Sequence, residues 1–386
     1  MKNIRLYLMV LASFIVITTT QAQTKTVEDL QAELAALSDK FEALDAELIS
    51  DKEKSATKAF YTPSVFGSAL TYYNLSTYSG EQRFAVRNAH IGVTGNASES
   101  VTYQIQVNFH NLASVSVLDS WIKYRYSRFD VTLGQQFIHL TADFDRAGPK
   151  SSLFTTRSYG NVFIPAYTNG TTLKSLGNRD IGLYANYTLG CDLPITLSAG
   201  VFNGAGINQI SWSDHVNILA RLQIGRSKGL SAGASAYTGS TPYLQDISIY
   251  SAEVRYVSNS LFVEANLQNQ QLREDEDSLY QSMSTGLIQG YYTFKLKANK
   301  AFESIAPTLR YDFGNNVNYS NSSSSTVERV DVERITAQLN FNFNGAKIRS
   351  RFSIGYEKII PEQVPSDIAD NTLFQDKFTV GMTVAF

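Results

Sequence analysis

The sequence has little of several things that other protein classes need. A single cysteine, Cys191, in 386 residues leaves no intrachain disulfide and no cysteine-based metal cluster. Lys and Arg number 33 against 35 for Asp and Glu, so no positive excess points to nucleic acid as a partner. Only 8 prolines interrupt the chain, which is typical of many-stranded sheets. We expect neither a cofactor nor a metal.

Long apolar runs are also missing, since no stretch reaches the roughly 20 residues that a membrane-spanning helix needs. The apolar segment 6–17 follows Lys2 and Arg5 and precedes small residues at 20–22. This arrangement predicts a secretory signal peptide over residues 1–22, which takes no part in the fold. We therefore expect the protein to be exported across the inner membrane.

The segment 23–58 carries apolar residues at alternating spacings of three and four, as in the a/d repeat of a coiled coil. The predicted seam consists of Val27, Leu30, Leu34, Leu37, Phe41, Leu44 and Leu48. We expect a short periplasmic coiled coil that joins several subunits. A single amphipathic helix packed on a domain is the alternative, because so short a coil is marginal alone. Leucine at both a and d does not choose between dimer and trimer.

From residue 59 to residue 386 the pattern changes to runs in which apolar and polar residues alternate, bounded by Gly, Asn, Ser or Asp. In one run Ile105 and Val107 alternate with Gln104, Gln106 and Asn108. A period of two places the two sets on opposite faces of a strand. About sixteen such runs occur, an even number in the porin range. The predicted fold class is all-β, a transmembrane antiparallel β-barrel of about 16 strands.

The connections between these runs alternate between short and long. The short ones, expected in the periplasm, are 95–100, 127–128, 190–194, 226–229, 258–260, 299–302 and 344–346. The long ones are 141–178, 204–214, 273–283, 315–328 and 359–373. This sorting is typical of an outer-membrane barrel. The last alternating run closes on Phe386, which resembles the signal read by the outer-membrane assembly machinery.

A water-filled lumen explains the polar face of each run. Gln104, Asn108 and Asn340 would each cost roughly 1–3 kcal/mol if buried without partners in a soluble core. Lumen water removes that cost. The sequence therefore favours a barrel over a soluble β-helix or a surface adhesin, which stay as alternatives.

The longest connection, 141–178, is the place where we expect selectivity, because a loop of this length is usually functional. If it folds inward it narrows the lumen, and rings of charge at a constriction set ion preference. The constriction candidates are Asp143, Asp145, Arg146, Lys150, Arg157, Lys174 and Arg179. The alternative is that these are solvated charges on an outward-facing loop.

Strand parity predicts a second set of basic side chains directed at the lumen. They are Lys123, Arg125, Arg221, Arg255, Lys295, Arg310, Arg334, Arg349 and Arg351. The acidic residues beside them are Asp119, Glu253, Glu264 and Asp312. The larger basic set favours anions, although a shift of one residue in register would reverse the faces of a strand.

Five stretches resemble the phosphate-selective porin O and P family. They are residues 87–95 (Arg-Asn-Ala-His-Ile-Gly-Val-Thr-Gly), 118–124 (Leu-Asp-Ser-Trp-Ile-Lys-Tyr), 133–137 (Leu-Gly-Gln-Gln-Phe), 179–182 (Arg-Asp-Ile-Gly) and 199–206 (Ala-Gly-Val-Phe-Asn-Gly-Ala-Gly). The resemblance implies a homotrimer of 16-stranded barrels in the outer membrane of a Gram-negative bacterium, some with an N-terminal coiled coil, passing anions. The sequence departs from the family after Gly134-Gln135, where the family usually has a Lys and a Pro-Phe and this chain has Gln136, Phe137, Ile138 and His139.

The sequence thus predicts a porin for passive diffusion of small hydrophilic solutes and ions, embedded in the lipid bilayer. The rivals are an outer-membrane barrel enzyme and an adhesin or structural barrel with an occluded lumen. We do not expect an enzyme, because the four histidines (His90, His110, His139 and His215) lack a hydrolase or metalloprotease motif around them.

Overall fold

The computed structural model describes residues 60–386 and a few helical positions before them. Its gaps are 110–114, 147, 149–150, 170–171, 191, 211, 213–214, 243–245, 274–280, 298–300, 321–326, 345–347 and 362–373. The chain divides into two compact units, Met1–Tyr61 and Thr62–Phe386. In the part of the chain that is described, no helix is both long and apolar enough to cross a bilayer.

The first unit contains the predicted signal peptide and coiled coil. Its described positions between 32 and 42 are helical and exposed to solvent; they are Ala32, Ala35, Ala36, Ser38, Asp39, Lys40 and Glu42. The signal peptide and all seven predicted seam residues lie outside the described residues. A helix in this segment agrees with the structure, whereas the pairing of such helices in a coiled coil stays a prediction.

The second unit is a single antiparallel sheet closed on itself. Its strands are β1 (Ser64–Ser76), β2 (Gln82–Asn96), β3 (Val101–Asn108), β4 (Ser116–Tyr126), β5 (Phe129–Phe137), β8 (Arg179–Leu189), β9 (Ile195–Phe202), β10 (Asn217–Gly225), β11 (Gly229–Ser240), β12 (Asp246–Val257), β13 (Leu261–Arg273), β14 (Gln281–Tyr292), β15 (Phe294–Lys295), β16 (Phe302–Ser320), β17 (Val327–Phe343), β18 (Arg349–Pro361) and β19 (Lys377–Ala385). Two shorter strands, β6 (Ala166–Asn169) and β7 (Thr172–Ser175), form a separate hairpin.

Closure comes from β1, which pairs with β2 on one side and with β19 on the other. Ser68 lies opposite both His90 and Ala385, so the first strand joins the ends of the sheet. The two-residue β15 continues β14, because both pair with β16. Counting that pair once leaves sixteen strands, so the predicted 16-stranded barrel is confirmed. Among the described strands of this sheet, none is left as an unpaired edge.

The two faces of the wall differ as the alternation predicts. The outward side chains of Leu267, Ile288 and Leu309 are 60%, 61% and 59% exposed. Their inward neighbours Gln268 and Arg310 are 2% exposed. Soluble proteins rarely expose apolar patches of more than a few hundred Å², whereas a bilayer covers them. The outer wall is therefore suited to lipid, and polar groups point inward.

The connections alternate in length around the barrel, as predicted. We call the end with the short turns the short-turn end, and the opposite end the long-loop end. Several predicted loop boundaries were wrong. The largest difference is that residues 315–320 and 327–328 belong to β16 and β17 instead of a long loop. Residues 281–283 likewise belong to β14, and residues 359–361 belong to β18. Backbone pairing such as Asn318↔Arg329 continues past a bulge between Gly314 and Val317, even though the side chains there no longer alternate.

A charge on the outer wall tests this orientation. Leu267→Arg, at the middle of β13, should lower the free energy of unfolding by about 2–4 kcal/mol, because its guanidinium would lie in hydrocarbon. Gln104→Arg is the matched control, since its side chain faces the lumen, and it should change stability by less than about 1 kcal/mol. Urea titration of the protein refolded in lipid vesicles measures both. Equal losses would contradict a lipid-covered outer wall.

Candidate functional site

The connection between β5 and β8, residues 138–178, folds into the barrel, and we call it the inner loop. It contains two short helices, α1 (Ala142–Asp145) and α2 (Tyr159–Phe163), together with the β6–β7 hairpin. Thr141 caps α1 by accepting a hydrogen bond from Phe144 N at 3.2 Å, and Ser158 caps α2. The capping side chains fix where each helix begins, so the loop has a defined shape.

Apolar packing holds the inner loop against the wall at the long-loop end. Its buried side chains include Phe144, Tyr159, Phe163 and Ile164. They join one cluster with inward residues from β8 to β18: Tyr184, Phe202, Leu219, Tyr237, Ile247, Ile249, Leu272, Met283, Val317, Val330, Val332 and Ile359. Full burial of one such side chain stabilises the fold by roughly 1.5–3 kcal/mol. At the long-loop end the barrel is thus packed inside from β8 to β18.

Hydrogen bonds fasten the start of the inner loop to β10, β11 and β12. Arg221 Nη1 donates to His139 O at 2.9 Å, and Ser235 Oγ donates to Leu140 O at 2.7 Å. Glu253 accepts from the backbone N–H of Ala142 at 2.5 Å and from Arg221 Nη2 at 2.5 Å. The wall therefore satisfies backbone groups that a buried loop would otherwise leave unpaired.

The first helix is fixed by a buried carboxylate. Asp143 accepts hydrogen bonds from Ser158 Oγ at 2.6 Å, Asn161 Nδ2 at 2.6 Å and Gln289 Nε2 at 2.9 Å. These contacts tie α1 to α2 and both helices to β14. Arg146, just after α1, forms an ion pair with Glu264 of β13. Three of the predicted constriction residues therefore meet the wall here: Asp143, Asp145 and Arg146.

The middle of the inner loop is held by arginines of β16, β17 and β18. Arg334 donates to Asp312 at 2.6 Å and to Arg157 O at 2.6 Å. Asp312 also accepts from Tyr159 N at 2.9 Å. Two further arginines donate to loop carbonyls, Arg310 to Thr156 O at 3.1 Å and Arg351 to Ser152 O at 2.9 Å. Charged donors make these bonds stronger than neutral ones.

The same region has a clear excess of positive charge. We call its basic residues the basic cluster. They are Arg87, Arg157, Arg310, Arg334, Arg351 and Lys377. Two carboxylates lie among them, Asp312 and Glu357, so six cations face two anions. A carbonyl oxygen satisfies a guanidinium hydrogen bond but carries no net charge to cancel it. A positive field therefore extends from this side of the barrel into the lumen.

Arg157 is a member of the basic cluster whose charge is exposed to the lumen. Its side chain is exposed although it lies on the loop inside the barrel. The surrounding protein and the positive charge of Arg179 lower the pKa of Arg157 below its ordinary value. Arg179 is held by Asp119, whose Oδ1 accepts from Nε at 2.9 Å, and it stacks on Phe137 at 3.8 Å from the ring centroid.

The opposite side of the lumen is less tightly filled. A half-open cavity of about 340 Å³ lies against the inner face of β3, β4, β5, β8, β9 and β10, which we call the open wall. The start of the inner loop borders it through His139 and Asp145. The lumen is thus packed on one side and accessible on the other.

The structure gives the positions of most of the predicted charged residues. Asp143, Asp145, Arg146 and Arg157 lie on the inner loop and Arg179 lies directly after it; Lys150 lies outside the described residues, and Lys174 is exposed on β7. Of the basic residues predicted to face the lumen, Arg221, Arg310, Arg334 and Arg351 are buried against the inner loop. Lys123 and Arg255 are half-buried, and Arg125, Lys295 and Arg349 are exposed toward the short-turn end. Their roles in selectivity remain predictions.

Sequence reasoning missed several residues that hold the loop. Arg87 donates to Thr155 O, and Gln338 donates to Leu153 O at 2.6 Å. Lys377 pairs with Glu357 at 3.2 Å. Parity alone could have placed these side chains inward, but only the fold of the inner loop shows what they bind. Within the described residues, no three His, Cys, Asp or Glu side chains are grouped as a metal site requires.

Comparison with known proteins gives structural relatives only. No family model and no curated protein matches the sequence. An anion-selective porin from Comamonas acidovorans superimposes with a TM-score of 0.58 at 11% identity, covering 84% of this chain and 99% of that porin. OmpF of Salmonella typhi, solved with daunomycin, gives 0.57 at 11% identity, covering 85% and 98%. The outer-membrane channel DcaP of Acinetobacter baumannii gives 0.51 at 14% identity, covering 85% and 98%.

The chain has the fold of the bacterial outer-membrane porins. Identities of 11–14% show the porin fold and leave the transported solute open. The more specific resemblance to phosphate-selective porins stays a prediction. The path and contacts of the inner loop define how much of the lumen of this barrel is filled.

Removal of one buried carboxylate tests the attachment of the inner loop. Asp312→Ala should lower the free energy of unfolding by about 3–5 kcal/mol, because it leaves Arg334 without its main ion pair. Trypsin should then cleave the loop of the folded protein at Arg157. Asp331→Ala, on the exposed face of β17, is the control and should cost less than about 1.5 kcal/mol. A resistant loop in Asp312→Ala would contradict the attachment.

The start of the inner loop gives a pH prediction. Burial raises the pKa of the Asp145 carboxyl, but His139, Arg221 and Arg146 outweigh burial and hold it below its ordinary value. The ion pairs are therefore complete above the ordinary carboxyl pKa of about 4, and they are lost as pH falls through the lowered pKa. Single-channel current should stay quiet from pH 7 to pH 5, whereas Asp145→Asn should be noisy at pH 7. A quiet Asp145→Asn channel would overturn this assignment.

Proposed function

We propose that this protein is an outer-membrane porin, a water-filled channel through which small hydrophilic solutes and ions diffuse passively. The observation that carries the proposal is the pairing of an apolar outer wall with a polar, partly open lumen. Leu267 and Ile288 face outward, while Gln104, Asn186 and Gln223 face the cavity along the open wall. Such a cylinder places water inside and lipid outside.

The basic cluster supports a preference for anions. Six cations against two carboxylates make the packed side of the lumen positive, and Arg157 is exposed to solutes. An exposed fixed charge raises the local concentration of its counterions, and the effect weakens as salt screens it. A phosphate-like solute fits this charge, although the cluster does not distinguish it from other small anions.

We also propose the surroundings of the channel. The lipid-facing wall suits the outer membrane of a Gram-negative bacterium, with the short turns in the periplasm. The a/d repeat of residues 27–48 supports a periplasmic coiled coil, and assembly as a homotrimer follows from the family resemblance. A single barrel contains the proposed channel without the coiled coil and without the trimer.

An enzyme and an occluded barrel are the rival proposals. His139 lies 2.9 Å from Asp145, but Asp145 also pairs with Arg221, so both groups serve to hold the inner loop. A barrel closed by the loop would give no stepwise current. The half-open cavity along the open wall favours a conducting channel.

Planar-bilayer recording across a salt gradient tests the proposal. We expect stepwise currents and a reversal potential of the sign given by anions. Arg157→Gln should move the reversal potential toward zero, whereas Arg226→Gln, in an exposed turn at the short-turn end, should leave it unchanged. A cation-selective potential would overturn the anion preference alone. The absence of any stepwise current would overturn the porin proposal.

A further inference from the structure

The open wall differs chemically from the basic cluster, and it suggests a class of solute. Three cations there have a carboxylate partner. Lys123 lies 3.8 Å from Asp130, Arg179 lies 2.9 Å from Asp119, and Arg221 lies 2.5 Å from Glu253. Compensated pairs give a charged solute little net attraction at this wall.

Uncharged hydrogen-bonding groups dominate what remains of the cavity lining. Four amides (Gln104, Gln136, Asn186 and Gln223) and the hydroxyls of Thr132, Thr196 and Ser198 line it. Amides and hydroxyls both donate and accept, and so do the hydroxyl groups of a neutral solute. Strand pairing fixes their spacing, since Asn186 lies opposite Ser198 and Thr196 lies opposite Gln223. The array is therefore rigid.

Trp121 adds an aromatic surface to this array. Its neighbours across the sheet are Gln104 on β3 and Gly134 on β5. Gly134 has φ +128°, and a side chain there would lie 2.2 Å from Ser120 O, so the position beside the indole stays without one. Lys123 Nζ lies 5.5 Å from the ring centroid and helps to orient the ring. The indole offers an apolar face and one N–H donor.

We propose that the open wall binds a neutral, hydroxylated ring, that is, a saccharide of one or two units, as it passes the inner loop. The C–H face of the sugar ring packs on Trp121, and its hydroxyl groups bond to the amides and hydroxyls of the wall. A cavity of about 340 Å³ lies within the size range of small-molecule sites. This inference rests on the proposed porin function, because the solute reaches the wall only through an open lumen.

The two sides of the lumen then interact with different solutes. Ions pass along the basic cluster, whereas the saccharide binds to the open wall. Occupation of the open wall should obstruct the ion path, because both share the lumen beside the inner loop. A saccharide is therefore detectable as a blocker of ion current.

Current block by maltose in planar bilayers tests the proposal. We expect maltose to lower the current saturably, whereas glycerol at equal osmolality should lower it only in proportion to viscosity. Trp121→Ala should raise the half-blocking maltose concentration about tenfold, and Trp121→Phe should keep most of the block. Trp212→Ala removes the only other tryptophan, which is fully exposed, and should leave the block unchanged.

Fluorescence gives a second readout that does not require current. In Trp212→Phe protein the emission comes from Trp121, and maltose should change it saturably in detergent-solubilised protein. A block equal to that of glycerol, or one that Trp121→Ala leaves intact, would overturn the saccharide site. Block by gluconate but not by maltose would overturn it in favour of an anion site. A barrel without current would overturn the porin proposal separately, and the fluorescence titration would still decide the site.

Discussion

The rest of the structure depends on how the inner loop satisfies its backbone inside the barrel. A chain segment of about forty residues can be buried only if its N–H and C=O groups find partners. Here the wall supplies them, because Arg310 and Arg351 donate to loop carbonyls while Glu253 and Asp312 accept from loop N–H groups. The apolar cluster at the long-loop end then excludes water from these bonds and strengthens them.

This attachment makes the lumen one-sided. The cations that hold the loop outnumber the carboxylates beside them, so the attachment of the loop and the proposed ion preference depend on the same side chains. The open wall contributes to that attachment through Arg221 of β10, and Lys123 on this wall is paired locally with Asp130. In the proposed channel, selectivity follows from where the loop is fastened as much as from which charges the strands carry.

Alternation in the sequence was enough to predict the barrel, its strand number and the inward direction of Arg221, Arg310, Arg334 and Arg351. It could not predict what those arginines bind, because their partners include backbone carbonyls that lie 82 to 199 residues away along the chain. The inner apolar cluster carried a signal that was missed: Ile247, Ile249 and Tyr250 place apolar groups on both faces of β12. A strand end with inward apolar side chains must pack against protein inside the barrel, and a long loop is the segment that can supply this packing. The contact between loop and wall is tertiary, so residue patterns within single strands do not encode it.

A disulfide trap tests the path of the inner loop most directly. Thr155 meets the inner face of β19, where a side chain placed at Gly381 would lie 3.0 Å from Thr155 Cγ2. In a Cys191→Ser background, Thr155→Cys with Gly381→Cys should form a disulfide in the membrane-embedded protein, since the two Cβ atoms come within bonding reach. Thr155→Cys with Met382→Cys, whose side chain faces outward, should form none. Failure of the first pair, or equal cross-linking of both, would contradict a loop fastened inside the barrel.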